Sequence, residues 1–144
     1  MAARDKYHNA VRNALIKEGW TITHDPYRIS IGSTDVQVDL GAEQSLAAER
    51  NQTKIAVEIK SFLNDSELYD LENALGQYSL YRLMLLKREP ERLLYLDVPH
   101  TMRSFLMERS DFRYILRELK VRLIIYRAKT EEIIEWIEFA HIAP

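Results

Sequence analysis

Two short stretches carry the residues that could do chemistry. Residues 36–40 read VQVDL, and after a polar interval residues 54–62 read KIAVEIKSF. In the second stretch Ile55, Val57 and Ile59 alternate with Lys54, Ala56, Glu58 and Lys60. That period of two belongs to a strand with one buried face, so Glu58 and Lys60 point the same way. In the first stretch Val36, Val38 and Leu40 alternate with Gln37 and Asp39, which directs Asp39 away from its apolar neighbours. If the two strands are neighbours in one sheet, Asp39, Glu58 and Lys60 converge. Two carboxylates and an ammonium make a poor core. They make a good seat for a hard divalent cation, which takes oxygen ligands and can hold a phosphate.

The chain that must position these residues has 144 of them, the size of one domain able to bury a core without disulfides or a structural metal. It contains no cysteine, which excludes thiol catalysis, zinc–thiolate sites and a disulfide framework and fits a reducing compartment. The first residues, MAARDKYHNAVRNAL, lack the apolar centre of a signal peptide, and no apolar run approaches the ~20 residues of a membrane span, so a cytoplasmic protein is expected. A net charge of −2 argues against a broadly basic nucleic-acid coat. Any DNA contact must come from a local patch, a bound cation or a dimer surface.

Taken in order, residues 4–18 read as a helix with Tyr7, Val11, Ala14 and Leu15 on one stripe and Gly19 placed to end it. Asp5 and Arg12 fall on another face, either as a solvated local ion pair or with Asp5 or His8 bordering the site. His8 reads as a half-buried packing residue. A strand is expected at 20–23, a turn at His24-Asp25-Pro26, a strand at 27–31 and the Asp39-bearing strand at 34–40. Adjacent residues on extended chain diverge, which argues against a general-base pair made of His24 and Asp25. Gly41 reads as a strand end and residues 42–50 as a helical turn; its Glu43 and Glu49 could reach a metal but read first as exposed loop acids.

The run Asn64-Asp65-Ser66-Glu67 contains strong N-cap candidates, with Asn64 and Glu67 at the spacing of a capping box, ahead of a long helix at 67–87. Leu68, Leu71, Leu75, Tyr78 and Leu85 form its apolar stripe, and residues 80–86 are apolar almost all round, the pattern of a buried second half. Asp70, Ala74, Gln77 and Tyr81 share a different face, where an amide and a phenol either meet the carboxylate site or serve as surface polarity plus one core tyrosine. Residues 92–98, RLLYLDV, read as a central strand covered on both faces. Asp97 and His100 at its end are a weak signal for a second metal pair. Helices at 101–107 and 110–119, the latter capped by Ser110, precede strands at 121–126 and 133–139. The order of elements fits an α/β sandwich around a mixed sheet.

Asp39 followed by Glu58-Ile59-Lys60 resembles the D…(D/E)-x-K motif of the PD-(D/E)XK nuclease superfamily, with Val38 where the motif's proline would stand. Gln77-Tyr78-Ser79-Leu80-Tyr81 is similar to the Q-x-x-x-Y helical motif of several of its branches. Beyond motifs, KYHNAVRNALIKEGWTITHDP, DLGAE, VEIKSF and NALGQYSLYR resemble the XisH-type excision-controlling factors of cyanobacterial mobile elements, over nearly the full length. The resemblance implies a restriction-endonuclease-like α/β fold, a mixed β-sheet flanked by helices. It also implies a role in controlling excision alongside a small XisI-type protein.

Phosphodiester hydrolysis needs an activated water, neutralisation of charge developing on the phosphorane oxygens and help for the leaving oxygen. Asp39 and Glu58 serve the first two through a bound Mg²⁺, with Mn²⁺ as substitute, completed by the carbonyl of Ile59 and waters. Lys60 would orient the water or bind the phosphate as a point charge, and Gln77 joins the catalytic set. The leading expectation is a divalent-metal DNA endonuclease of a mobile element, working as a homodimer or with its partner. The rival is an accessory factor that binds DNA or a partner and directs a separate recombinase; a nuclease toxin held by its small partner ranks below both.

Overall fold

The computed structural model describes residues 6–45 and 52–144. Its elements are α1 (His8–Lys17), β1 (Thr21–His24), β2 (Tyr27–Ile31), β3 (Thr34–Val38), β4 (Leu40–Ser45), β5 (Gln52–Ile59), α2 (Glu67–Arg88), β6 (Arg92–Pro99), α3 (Arg103–Met107), α4 (Ser110–Glu118), β7 (Leu123–Arg127) and β8 (Glu132–Ile137). A six-stranded mixed sheet runs β1-β4-β5-β6-β7-β8. The β5–β6 and β6–β7 pairs are parallel. They are connected by α2 and by α3 with α4, the long crossovers that parallel neighbours require. The outer pairs are antiparallel. β2 and β3 form a separate hairpin.

Strand alternation divides the core between the two faces of this sheet. On one face Ala56, Leu94, Leu96, Val98, Leu123 and Ile125 pack with α2, α3, α4 and the hairpin. On the other Ile55, Val57, Ile59, Tyr95 and Ile124 pack with Val11 and Leu15 of α1 and with Trp20. β5 is therefore covered on both sides, which its one-sided pattern did not announce. Ala56 faces a core cluster, and two residues on Glu58 is 5% exposed.

Several sequence expectations change. The strand expected over 34–40 breaks at Asp39, with β3 in the hairpin and β4 in the main sheet. The helical turn expected from residue 42 is strand through Ser45, and 46–51 lie outside the described residues. Gly41 lies within β4, not at a strand end: a Cβ there would sit 3.0 Å from His24 Nδ1 and 3.1 Å from Tyr27 Cδ2, so β4 and this turn approach too closely for a side chain. The caps also shift by a residue or two. Of the candidates at 64–67 it is Ser66 that caps α2, its Oγ accepting from the Tyr69 N–H at 3.1 Å, while Asn64 binds Asp70. Arg109, not Ser110, occupies the cap position of α4.

The second half of α2 is not buried all round: Leu80, Leu83 and Leu86 are exposed, as is Leu68 at its start. Its inward face carries Leu71, Ala74, Tyr78, Tyr81, Met84 and Leu85. Tyr78 ties this helix to the sheet. Its buried hydroxyl accepts from the Arg122 N–H at 3.0 Å and faces the carbonyls of Lys120 at 2.9 Å and Leu94 at 3.1 Å. Tyr78→Phe keeps the ring and strands these groups, so we expect a loss of about 1–3 kcal/mol in urea unfolding with an unchanged m-value. A change below the error of the measurement would show that water replaces the hydroxyl.

Candidate functional site

Asp39 occupies the bend between β3 and β4, at the end of the ladder in which Leu40 stands opposite Val57. Its carboxylate turns along the sheet edge, and Oδ2 accepts from the Ile59 N–H at 2.8 Å. The N–H and C=O of one strand residue leave on the same flank, so the Ile59 carbonyl turns towards Asp39 as well. The next N–H, of Lys60, donates the other way, to the Asp97 carbonyl at 2.9 Å.

Glu58 projects from β5 on the α2 side. Its Oε2 is 3.5 Å from Lys60 Nζ, and its Oε1 is buried without a hydrogen-bond partner among the described residues. Burial, and then the negative charge of Asp39, push the Glu58 carboxyl up to about 8, with Lys60 pulling the other way. The structure thus brings Asp39, Glu58, the Ile59 main chain and Lys60 together at the end of β5.

From α2, Tyr81 is near enough that the charges of Glu58 and Asp39 add to burial in raising its phenol. Gln77 lines a pocket of about 380 Å³ with Lys60, Ser61, Asn64, Tyr69 and Asp70. Its Oε1 is buried without a partner among the described residues. Phe62, at the same pocket, has φ 54, a left-handed conformation that turns the chain from β5 towards α2 and that a bulky residue rarely adopts.

Other candidates lie elsewhere. Glu43, three pairs up the ladder from Leu40 and opposite Lys54, is 3.4 Å from Arg92 and serves a structural ion pair. Asp5 and Glu49 lie outside the described residues. His8 is 3% exposed, more buried than expected, and its Nε2 is 2.8 Å from Asp25 Oδ1 while Arg12 holds Oδ2 at 2.6 Å. This pairing across 17 residues has no periodic signature in the sequence.

Asp97 is the residue that sequence reasoning undervalued. It is fully buried on β6 opposite Ile59, with neither carboxylate oxygen hydrogen-bonded among the described residues. Burial and the charge of Asp39 raise it well above the usual carboxylate range. Its signal was an acid inside a run apolar on both faces. By alternation it faces α1, across the sheet from Glu58.

Among the described residues no three acidic or histidine side chains group to hold a metal ion. The set on offer is two carboxylates, one of them with a buried unpaired oxygen, and a main-chain carbonyl. That suits Mg²⁺, which keeps several waters and is commonly held by one or two carboxylates plus substrate phosphate. No helix among the described residues is long and apolar enough to cross a membrane.

The XisH protein family model matches residues 1–134. The crystal structure of an XisH family protein from Nostoc punctiforme is similar, at 39% identity over 93% of this chain and 100% of that one, with a TM-score of 0.82. So is that of an fdxN element excision controlling factor protein from Anabaena variabilis, at 40% identity over 94% of this chain and 100% of that one, also with a TM-score of 0.82. A search of curated proteins found no match.

Proposed function

The chain belongs to the XisH family, and from that premise we propose that it is a PD-(D/E)XK-type, divalent-metal-dependent DNA endonuclease acting in the excision control named for its Anabaena variabilis relative. The observation that carries this reading is the pairing of Glu58 with Asp39 in a nearly dry position. Two carboxyls there, one with an unpaired oxygen, repel each other unless a proton or a cation intervenes.

Asp39, Glu58 and the Ile59 carbonyl would hold Mg²⁺ or Mn²⁺, which when bound would supply Lewis-acid polarisation of the phosphate and an acidified water. The Lys60 ammonium, 3.5 Å from Glu58, would stabilise negative charge on the attacking water or on the phosphate. Gln77 presents its amide to the same pocket and positions the phosphate. The covered sheet face limits competing water around Glu58.

An accessory reading is favoured by one observation: the relative's name speaks of control, not cutting. In it the same chain binds DNA or a small XisI-type partner and directs a separate recombinase. The deciding experiment incubates purified protein, alone and with the product of its genomic neighbour, with linear, supercoiled and branched DNA in Mg²⁺, Mn²⁺ or chelator. We expect weak cleavage that chelator abolishes. No cleavage of any DNA form, together with partner binding and support of excision, would hand the function to the accessory reading.

A further inference from the structure

The outer face of α2, which borders the site pocket at Tyr69 and Asn73 and then runs on beyond it, carries a pattern of its own. Tyr69, Asn73, Gly76, Leu80, Leu83 and Lys87 follow one another at spacings that alternate between four and three, the seam of a two-stranded coiled coil. All six are exposed, Tyr69, Leu80 and Leu83 by 59%, 53% and 59%. A core-facing stripe on the opposite side of the same helix is already satisfied. Gly76 sits in the helix interior, where glycine is disfavoured, and a Cβ added there would meet nothing within 4 Å. Nothing among the described residues needs that glycine, whereas a second helix passing close over it would.

We infer that two copies of this chain associate through antiparallel packing of their α2 helices, about a two-fold axis at the level of Tyr78. The seam is self-complementary in that register and not in the parallel one. Leu80 of each copy stands over Gly76 of the other, Leu83 over Asn73, and Lys87 over the ring of Tyr69, where a cation is favoured. The charge pattern agrees: Glu67 and Asp70 lie in the first turn and Lys87 and Arg88 in the last. Antiparallel pairing sets the acidic half of each helix, Glu72 included, beside the basic half of its neighbour; parallel pairing sets like against like. An isologous contact of this kind closes as a dimer and leaves no further seam exposed. None of the six seam residues is a proposed metal ligand or catalytic group, but Tyr69 and Asn73 also line the pocket of Lys60 and Gln77, so the N-terminal end of the seam borders that site.

The test uses the full chain, which has no cysteine of its own. In sedimentation equilibrium we expect a dimer for wild type and, for Leu80→Asp, association weakened by roughly tenfold or more, because the seam would bury an unpaired charge. Leu80 is half exposed, so that variant should melt like wild type at dilutions where both are monomers. Under mild oxidation Gly76→Cys mixed with Leu80→Cys should cross-link. Tyr69→Cys alone should not, since its two copies lie about 27 Å apart along the axis at 1.5 Å per residue. A wild-type chain that stays monomeric, a Leu80→Asp chain that associates like wild type, or a cross-linked Tyr69→Cys would each overturn the proposal. So would a face occupied only by a different protein.

Discussion

Lys60→Ala will cut the rate of DNA cleavage by roughly 10²–10³-fold, the usual cost of removing one preorganised charge or donor from a transition state. It will barely move the melting temperature. The side chain leaves β5 at its end, its ammonium is a quarter exposed, and its removal opens no cavity in the layer of Ile55, Val57 and Ile59. A second consequence separates a catalytic lysine from a merely structural one. Lys60 is the larger of the two influences that pull the Glu58 carboxyl down, ahead of a hydrogen bond from the Asp39 backbone. Without it Glu58 holds its proton to higher pH, so cation binding should need more alkaline conditions or more metal. Equal activity in wild type and variant, with the same metal requirement, would remove Lys60 from the chemistry. The same result with no activity in either favours the accessory reading.

Glu58 makes the metal-free protein less stable as the medium becomes alkaline. Its carboxyl titrates at about 8 in the fold against an ordinary value of 4.5. Between those values the folded chain keeps a proton that the unfolded chain has lost, so the stability associated with Glu58 is complete below about pH 4.5 and is lost progressively as pH rises towards 8. At full ionisation the loss is on the order of 5 kcal/mol. Asp97 is shifted in the same direction, so Glu58→Gln should remove one share of the slope and leave the other. Mg²⁺ or Mn²⁺ competes with that proton. Millimolar cation should therefore raise the melting temperature more at about pH 8 than at about pH 6. Asp39→Ala should lose the cation effect. An equal shift at both pH values, or one that survives in Asp39→Ala, would show that the ion binds somewhere else.

Much of this site was legible before any coordinates, and the reasons are local. A strand's side chains alternate whatever surrounds it, so KIAVEIKSF by itself puts Glu58 and Lys60 on one side and Ile55, Val57 and Ile59 on the other. Helical spacing likewise puts Gln77 and Tyr81 on one face of α2. Asp39 was less secure. The run VQVDL looks like one strand, yet the chain changes sheets there, and the carboxylate works from a bend, held by the Ile59 N–H.

What only the tertiary structure decided is which of two equivalent-looking surfaces is covered. Apolar and polar residues alternate in β5 as they would in a strand with one wet face. The crossover through α2 nonetheless lays a second core over that face, and this covering drives Glu58 to hold a proton near neutrality. Conversely, residues 80–86 are apolar enough to be buried all round, yet the sheet touches α2 from one side and leaves Leu80, Leu83 and Leu86 outside. Asp97 was undervalued and the His8–Asp25 contact unforeseen for the same reason. Their environments are made by residues distant in the chain, and the free energy of a buried charge depends on what surrounds it in space, which no periodicity along the chain records.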